Sequence, residues 1–229
     1  MGYRSGTETK SKIFHAAIKL FTHHGYYKTT MRMIAAEAEV NLGLCTYHFK
    51  TKDNIVKIFY RRHVQFMRNY VHSHAASGNL FTKLLSEIAL NYSLLFSSRL
   101  LLTLFLEGIT ADDLSRIYPG GMLKEALADK IPSSREHDDT WYLMGSVILS
   151  ASARALMRKW RERVLPRTTE ELTAFFLHQI CGYFKISGED TAEEIRQILK
   201  WTGSQNFNGL EKDLLQYCLS RGITDLLQE

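Results

Sequence analysis

The stretch TTMRMIAAEAEVNLGLCTYHFKTKDN, from Thr29 to Asn54, constrains this chain more than any other. Met31, Ile34, Ala35 and Ala38 fall at i, i+3, i+4 and i+7, which puts them on one face of a short helix. Thr30, just before them, is placed to accept a backbone N–H bond as N-cap. Val40 plugs the turn that follows, and Asn41 is a second capping residue opening another short helix. On that helix Cys45, His48 and Phe49 share one face, while Gly43, Thr46, Tyr47 and Lys50 share the other. Two short helices joined by a tight turn make a helix-turn-helix, whose second helix lies in a DNA major groove.

The same run resembles the DNA-binding segment of the TetR family of bacterial transcriptional repressors. The resemblance rests on Thr30, Ile34, Ala35, Ala38, Val40, Gly43, Phe49 and Lys52. It covers roughly residues 8–60. Two positions depart from the family pattern: Glu39 stands where a turn glycine is usual, and Thr46 where tyrosine is usual. Glycine suits a left-handed backbone better than glutamate does. The resemblance implies an N-terminal three-helix DNA-binding domain followed by a helical-bundle domain for ligand binding and dimerisation.

Charge points the same way. Residues 1–77 hold 12 Lys/Arg against 4 Asp/Glu, a net of +8, and the remainder holds 17 against 20, a net of −3. The two sum to the overall +5. A basic first third with a mildly acidic remainder predicts a polyanionic partner at one end only. Only 3 prolines and no alternating apolar segments predict an all-α protein. No apolar run reaches the roughly 18 residues that a membrane span requires. The start, MGYRSGTETK, lacks the apolar core of a signal peptide. Cys45, Cys181 and Cys218 are odd in number and far apart, which fits a reduced cytoplasmic setting.

Taken in order, Thr7 to His24 reads as a first helix stopped by Gly25, with Arg4, Lys10 and Lys12 as further candidate phosphate contacts. Thr51-Lys52-Asp53 opens a long helix running to about Ser77, and Lys52 at its N-terminus offers a phosphate site. The domains are expected as 1–52, with a connecting helix over 52–77, and 78–229. His63, His72 and His74 read as surface or core-edge histidines rather than ligands, because no carboxylate or cysteine shares their spacing. A break near Ser97-Ser98 and a bend at Pro119-Gly120-Gly121 interrupt the apolar middle. A long helix follows over Glu136–Arg163, in which Trp141, Met144, Ile148, Ala151 and Ala155 form a coiled-coil-like seam. Another opens at Thr168 or Thr169. Thr191 and Glu194 read as a capping box, and a last helix is expected over Leu210–Leu219. The tail from residue 187 is expected to cover a dimer or to close over a ligand site.

No catalytic or metal-binding pattern is present: there is no GxSxG, P-loop or HExxH, and no cofactor is expected. The expected function is that of a ligand-responsive regulator, most simply a repressor, acting on a near-palindromic double-stranded operator as a homodimer. DNA-binding residues are expected at Thr30, Arg32, Asn41, Leu42, Gly43, Leu44, Thr46, Tyr47, Lys50 and Lys52. Pairing of 138–161 and 168–186 with their two-fold mates would build the dimer. The resemblance also implies a hydrophobic small-molecule effector between the bundled helices. Its candidate contacts are Tyr92, Phe96, Phe105, Glu107, Tyr118, Trp141 and Tyr142, with Asn91 as a further polar anchor. The competing reading is an all-helical binding or scaffold protein whose helix-turn-helix touches no DNA.

Overall fold

A computed structural model describes residues 6–75, 78–131 and 138–220. Those residues are all-α, in twelve helices. They are α1 (Gly6–His24), α2 (Met31–Glu37), α3 (Leu42–Phe49), α4 (Lys52–His74), α5 (Leu80–Ser97) and α6 (Arg99–Gly108), then α7 (Ala111–Ile117), α8 (Gly120–Leu127), α9 (Asp139–Arg161), α10 (Thr169–Tyr183), α11 (Glu189–Gly203) and α12 (Phe207–Ser220). Arg4, the boundary residues Ala76 and Ser77, and Glu136 lie outside the described residues. Among the described residues no single helix is long and apolar enough to cross a membrane.

Most helix starts obey local capping. Thr30, Asn41, Ser98 and Asp138 each accept a backbone N–H from three residues on. Thr168 with Glu171 and Thr110 with Asp113 form full capping boxes. The expected box at Thr191 is corrected. α11 begins earlier, at Glu189 after Gly188, and Thr191 is buried in its first turn. Glu194 is drawn elsewhere, pairing with Lys130 at 2.8 Å and accepting from the Thr82 hydroxyl. The last helix also begins earlier than expected, because Asn206 accepts from the Gly209 N–H at 3.2 Å.

Contacts divide the described residues into two units. The first, the head, contains residues 6–63, 98–109 and 211–220. Its core includes Phe14, Phe21, Ile34, Phe49, Phe59 and Phe105, all essentially without solvent exposure. α1 packs on both α2 and α3. His63 lies in this interior, fully buried against the Phe59 and Tyr60 rings, rather than at a surface or core edge. The second unit contains residues 64–97 and 110–210, so the boundary expected near residue 78 falls inside it. α5 is its centre, with α8, α10 and α11 packed on it. Leu84, Leu85, Ile88, Leu177, Ile180, Phe184 and Ile195 share one apolar cluster there. α9 lies against α10 so closely that a Cβ on Gly145 would stand 2.6 Å from the Tyr183 ring.

Candidate nucleic-acid interface

The helix-turn-helix is built from short-range devices. α2 buries Ile34 and Ala35 and ends at Ala38. The next residue, Glu39, has a left-handed backbone with φ 55°. Its N–H bonds to Ala36 O at 3.1 Å, and the Val40 N–H bonds to Ala35 O at 3.0 Å. This pair of bonds is a Schellman closure, which places Glu39 where glycine is normally found. Left-handed geometry costs a non-glycine residue about 1–2 kcal/mol, of which glycine's greater unfolded-state freedom returns about half. Glu39→Gly is therefore expected to raise stability by about 1 kcal/mol, or Tm by about 2–4 °C for a chain this long. Thermal unfolding tests this. A lower Tm would mean that the glutamate side chain contributes a contact worth more than the strain.

Asn41 then starts α3, accepting from the Leu44 N–H at 2.8 Å. Cys45 and Phe49 anchor the helix inward. The opposite face is open: Leu42, Gly43 and Leu44 are exposed, and Tyr47 is the most exposed large apolar residue of the head at 79%. Thr46 is half-buried, and its hydroxyl donates to Leu42 O at 2.9 Å, leaving the methyl as its free chemical feature. Arg32 on α2 and Lys50 at the end of α3 are exposed cations. Lys50 closes α3 with φ 59° and donates its N–H to Thr46 O at 2.8 Å. Thr30 and Asn41 spend their side-chain oxygens on helix caps.

Lys52 differs most from its expected setting as an open phosphate site. Its ammonium donates to Tyr26 O at 2.8 Å and Thr29 O at 3.2 Å, and lies 4.0 Å from the Tyr26 ring centroid. Burial lowers its pKa, against the opposing pull of Asp53. One of its three donors is left for a phosphate. Tyr26 bonds Asp53 in turn, and burial, followed by that bond, raises the phenol's pKa. Lys52 thus ties the start of α4 to the loop before α2. Lys10 lies over the Phe49 ring, 5.7 Å from its centroid.

The expected effector residues are divided between the units. Phe105 and Glu107 belong to the head, and the Phe105 ring packs at a tilt on Tyr60. In the second unit Tyr92 and Phe96 pack on Phe176, while Trp141 and Tyr142 join Tyr183 and Phe184 in an aromatic group. Tyr118 ends α7 at the Pro119 bend. Two residues there escaped sequence reasoning. Glu87 is 5% exposed in the apolar helix α5, with Arg68 Nε 3.3 Å from its carboxylate. Burial raises the Glu87 pKa, while Arg68 and Tyr118 pull it down. The signal was a lone carboxylate at the head of the apolar run EIAL.

With that geometry in place, residues 13–57 match the family model for bacterial regulatory proteins of the tetR family. That stretch is similar to the N-terminal domain of TetR-family proteins. The HTH-type transcriptional regulator HbdR of Aromatoleum sp. (strain CIB) is 47% identical over 49 residues. That match spans 21% of this chain and 21% of HbdR, so the likeness covers about a fifth of either protein. Among solved structures, a gamma-butyrolactone receptor (ArpA-like protein) aligns with TM-score 0.48 at 16% identity, covering 87% of this chain and all of that one. The TetR-family protein CprB from S. coelicolor A3(2) aligns with TM-score 0.48 at 18% identity, covering 86% of this chain and 100% of its own.

Proposed function

We propose that the chain is a cytoplasmic, homodimeric TetR-family transcriptional regulator, a repressor released from a near-palindromic operator by a small hydrophobic effector. The observation that carries the DNA reading is the capped, inward-anchored α3 whose free face offers Leu42, Gly43, Leu44 and Tyr47. In this reading Gly43 permits close backbone approach, Tyr47 and the remaining Lys52 donor hold phosphates, and Leu42 or the Thr46 methyl meets a thymine methyl. Arg32 reads guanine. Residues 1–52 form the DNA-binding domain, and the effector binds within 78–229, among Tyr92, Phe96, Tyr118, Trp141 and Tyr142. Effector binding favours a dimer whose heads are wrongly spaced for DNA.

The dimer reading draws on α9 and α10. Leu143, Met144, Val147, Ile148 and Phe175 are exposed apolar residues, and Ala151 and Ala155 continue the stripe. Such a stripe left in water is what a second copy covers in a four-helix interface.

Binding to operator and scrambled DNA over a salt series separates this function from the scaffold alternative. Tyr47→Ala is expected to weaken binding to every sequence by about tenfold, the value of one hydrogen bond to a charged group. Arg32→Ala is expected to relax preference at one base pair by about 1–3 kcal/mol. If neither substitution alters DNA affinity, the helix-turn-helix is structural.

A further inference from the structure

We propose that α12 is a latch built into the head, whose last turn holds α1 and the first half of α4 in the geometry that operator binding requires. The inference rests on the DNA-binding reading above and goes beyond it. The resemblance says nothing of such a helix, and the sequence left the tail's role open between covering a dimer and closing over a ligand.

The attachment is made of different kinds of contact within one unit. Leu214 and Cys218, one helical turn apart, are both fully buried, while Lys212, Asp213 and Gln216 face water. α12 is therefore amphipathic, with its apolar face spent on the head. At its C-terminal end the last carbonyls of any helix lack intrahelical donors and carry partial negative charge. Arg62 of α4, 3% exposed, donates to one of them, Cys218 O. The same guanidinium lies 4.8 Å from the Phe14 ring centroid of α1. Beside it, the Leu219 backbone hydrogen-bonds His15 of α1. Ser98, the N-cap of α6, donates to Glu211 at 2.6 Å. α12 thus touches α1 and α4 through its last turn and the cap of α6 from nearer its start. α1 is the helix on which α2 and α3 rest, so the latch reaches the motif through a single intermediate.

A buried guanidinium explains why the latch matters more than its length suggests. Arg62 is kept from water, and each carbonyl that faces it offsets that desolvation. Removing the helix takes away the Cys218 carbonyl that faces that charge. An ordinary packing helix carries no such charge-based penalty.

The test uses Leu214→Ala in the full chain, read by hydrogen exchange and operator binding. Truncating a buried leucine is expected to speed exchange about 30-fold or more in α1 and residues 52–63 of α4, with α5, α9 and α10 unchanged. Operator affinity is expected to fall about tenfold or more. A second variant ends the chain after Gln205, and a synthetic peptide of residues 206–220 added in trans is expected to restore both protection and affinity. Exchange that rises only within α12, or equally across both units, overturns the latch. So does full operator affinity in the truncated chain. If the unaltered protein binds no operator, the DNA reading fails, while the exchange pattern still decides whether α12 holds the head.

Discussion

Met144→Asp combined with Ile148→Asp is expected to turn a dimer into a monomer and to lower operator affinity about a hundredfold or more. Both side chains lie on the exposed stripe of α9, four residues apart on one face. In a four-helix interface both carboxylates would be buried without a partner. On a free surface the same changes would cost almost nothing, so helical content and Tm should stay near their starting values. The loss of DNA affinity follows from geometry. Two linked heads bind a palindrome as one event, and linkage gains about 10²–10⁴ over single-site affinity. Light scattering at micromolar concentration and anisotropy titration against whole and half operators measure both effects. Half-site affinity should not change. A double variant that remains dimeric would place the interface elsewhere.

Acidification gives the second large effect. His63 is wholly buried, neither ring nitrogen has a hydrogen-bond partner among the described residues, and burial holds its pKa down at about 3. In the unfolded chain the same imidazole titrates near 6.5, so between those values only the unfolded state takes up the proton. Its stabilising effect is therefore complete above about pH 6.5 and is lost progressively as pH falls toward 3. From pH 7 to pH 5 this one group should cost about 2 kcal/mol. Urea unfolding at the two pH values measures it. His63→Leu should remove about that much of the acid sensitivity while keeping the interior packed against Phe59 and Tyr60. An identical pH dependence in the variant would show that the imidazole is reached by solvent.

What could be read from the sequence was what short-range chemistry decides. Thr30, Asn41 and Thr168 announced helix starts because a cap needs only three residues to form. Of the expected seam, Met144, Ile148, Ala151 and Ala155 do share one exposed face, as helical periodicity alone implied, whereas Trp141 turns inward onto Tyr183 and Phe184. Thr191 and Glu194 misled because tertiary partners, Lys130 and Thr82, outbid the local cap. Lys52 was correctly placed at a helix start, yet the direction of its ammonium depended on carbonyls 23 and 26 residues away. The burial of His63 and the split of the effector residues between units depend on long-range packing, which spacing does not encode. Glu39 is an intermediate case. The resemblance flagged its position, and the backbone there is left-handed even without glycine.

The latch would also be completed late in synthesis. Arg62 and the Cys218 carbonyl that faces it are 156 residues apart. A ribosome adding about 5–20 residues per second leaves an interval of roughly 8–30 s between them. Throughout that interval the helix-turn-helix has been synthesised while its last supporting helix does not yet exist. On the latch proposal, the head of a nascent chain therefore lacks one of its supports until α12 has been made.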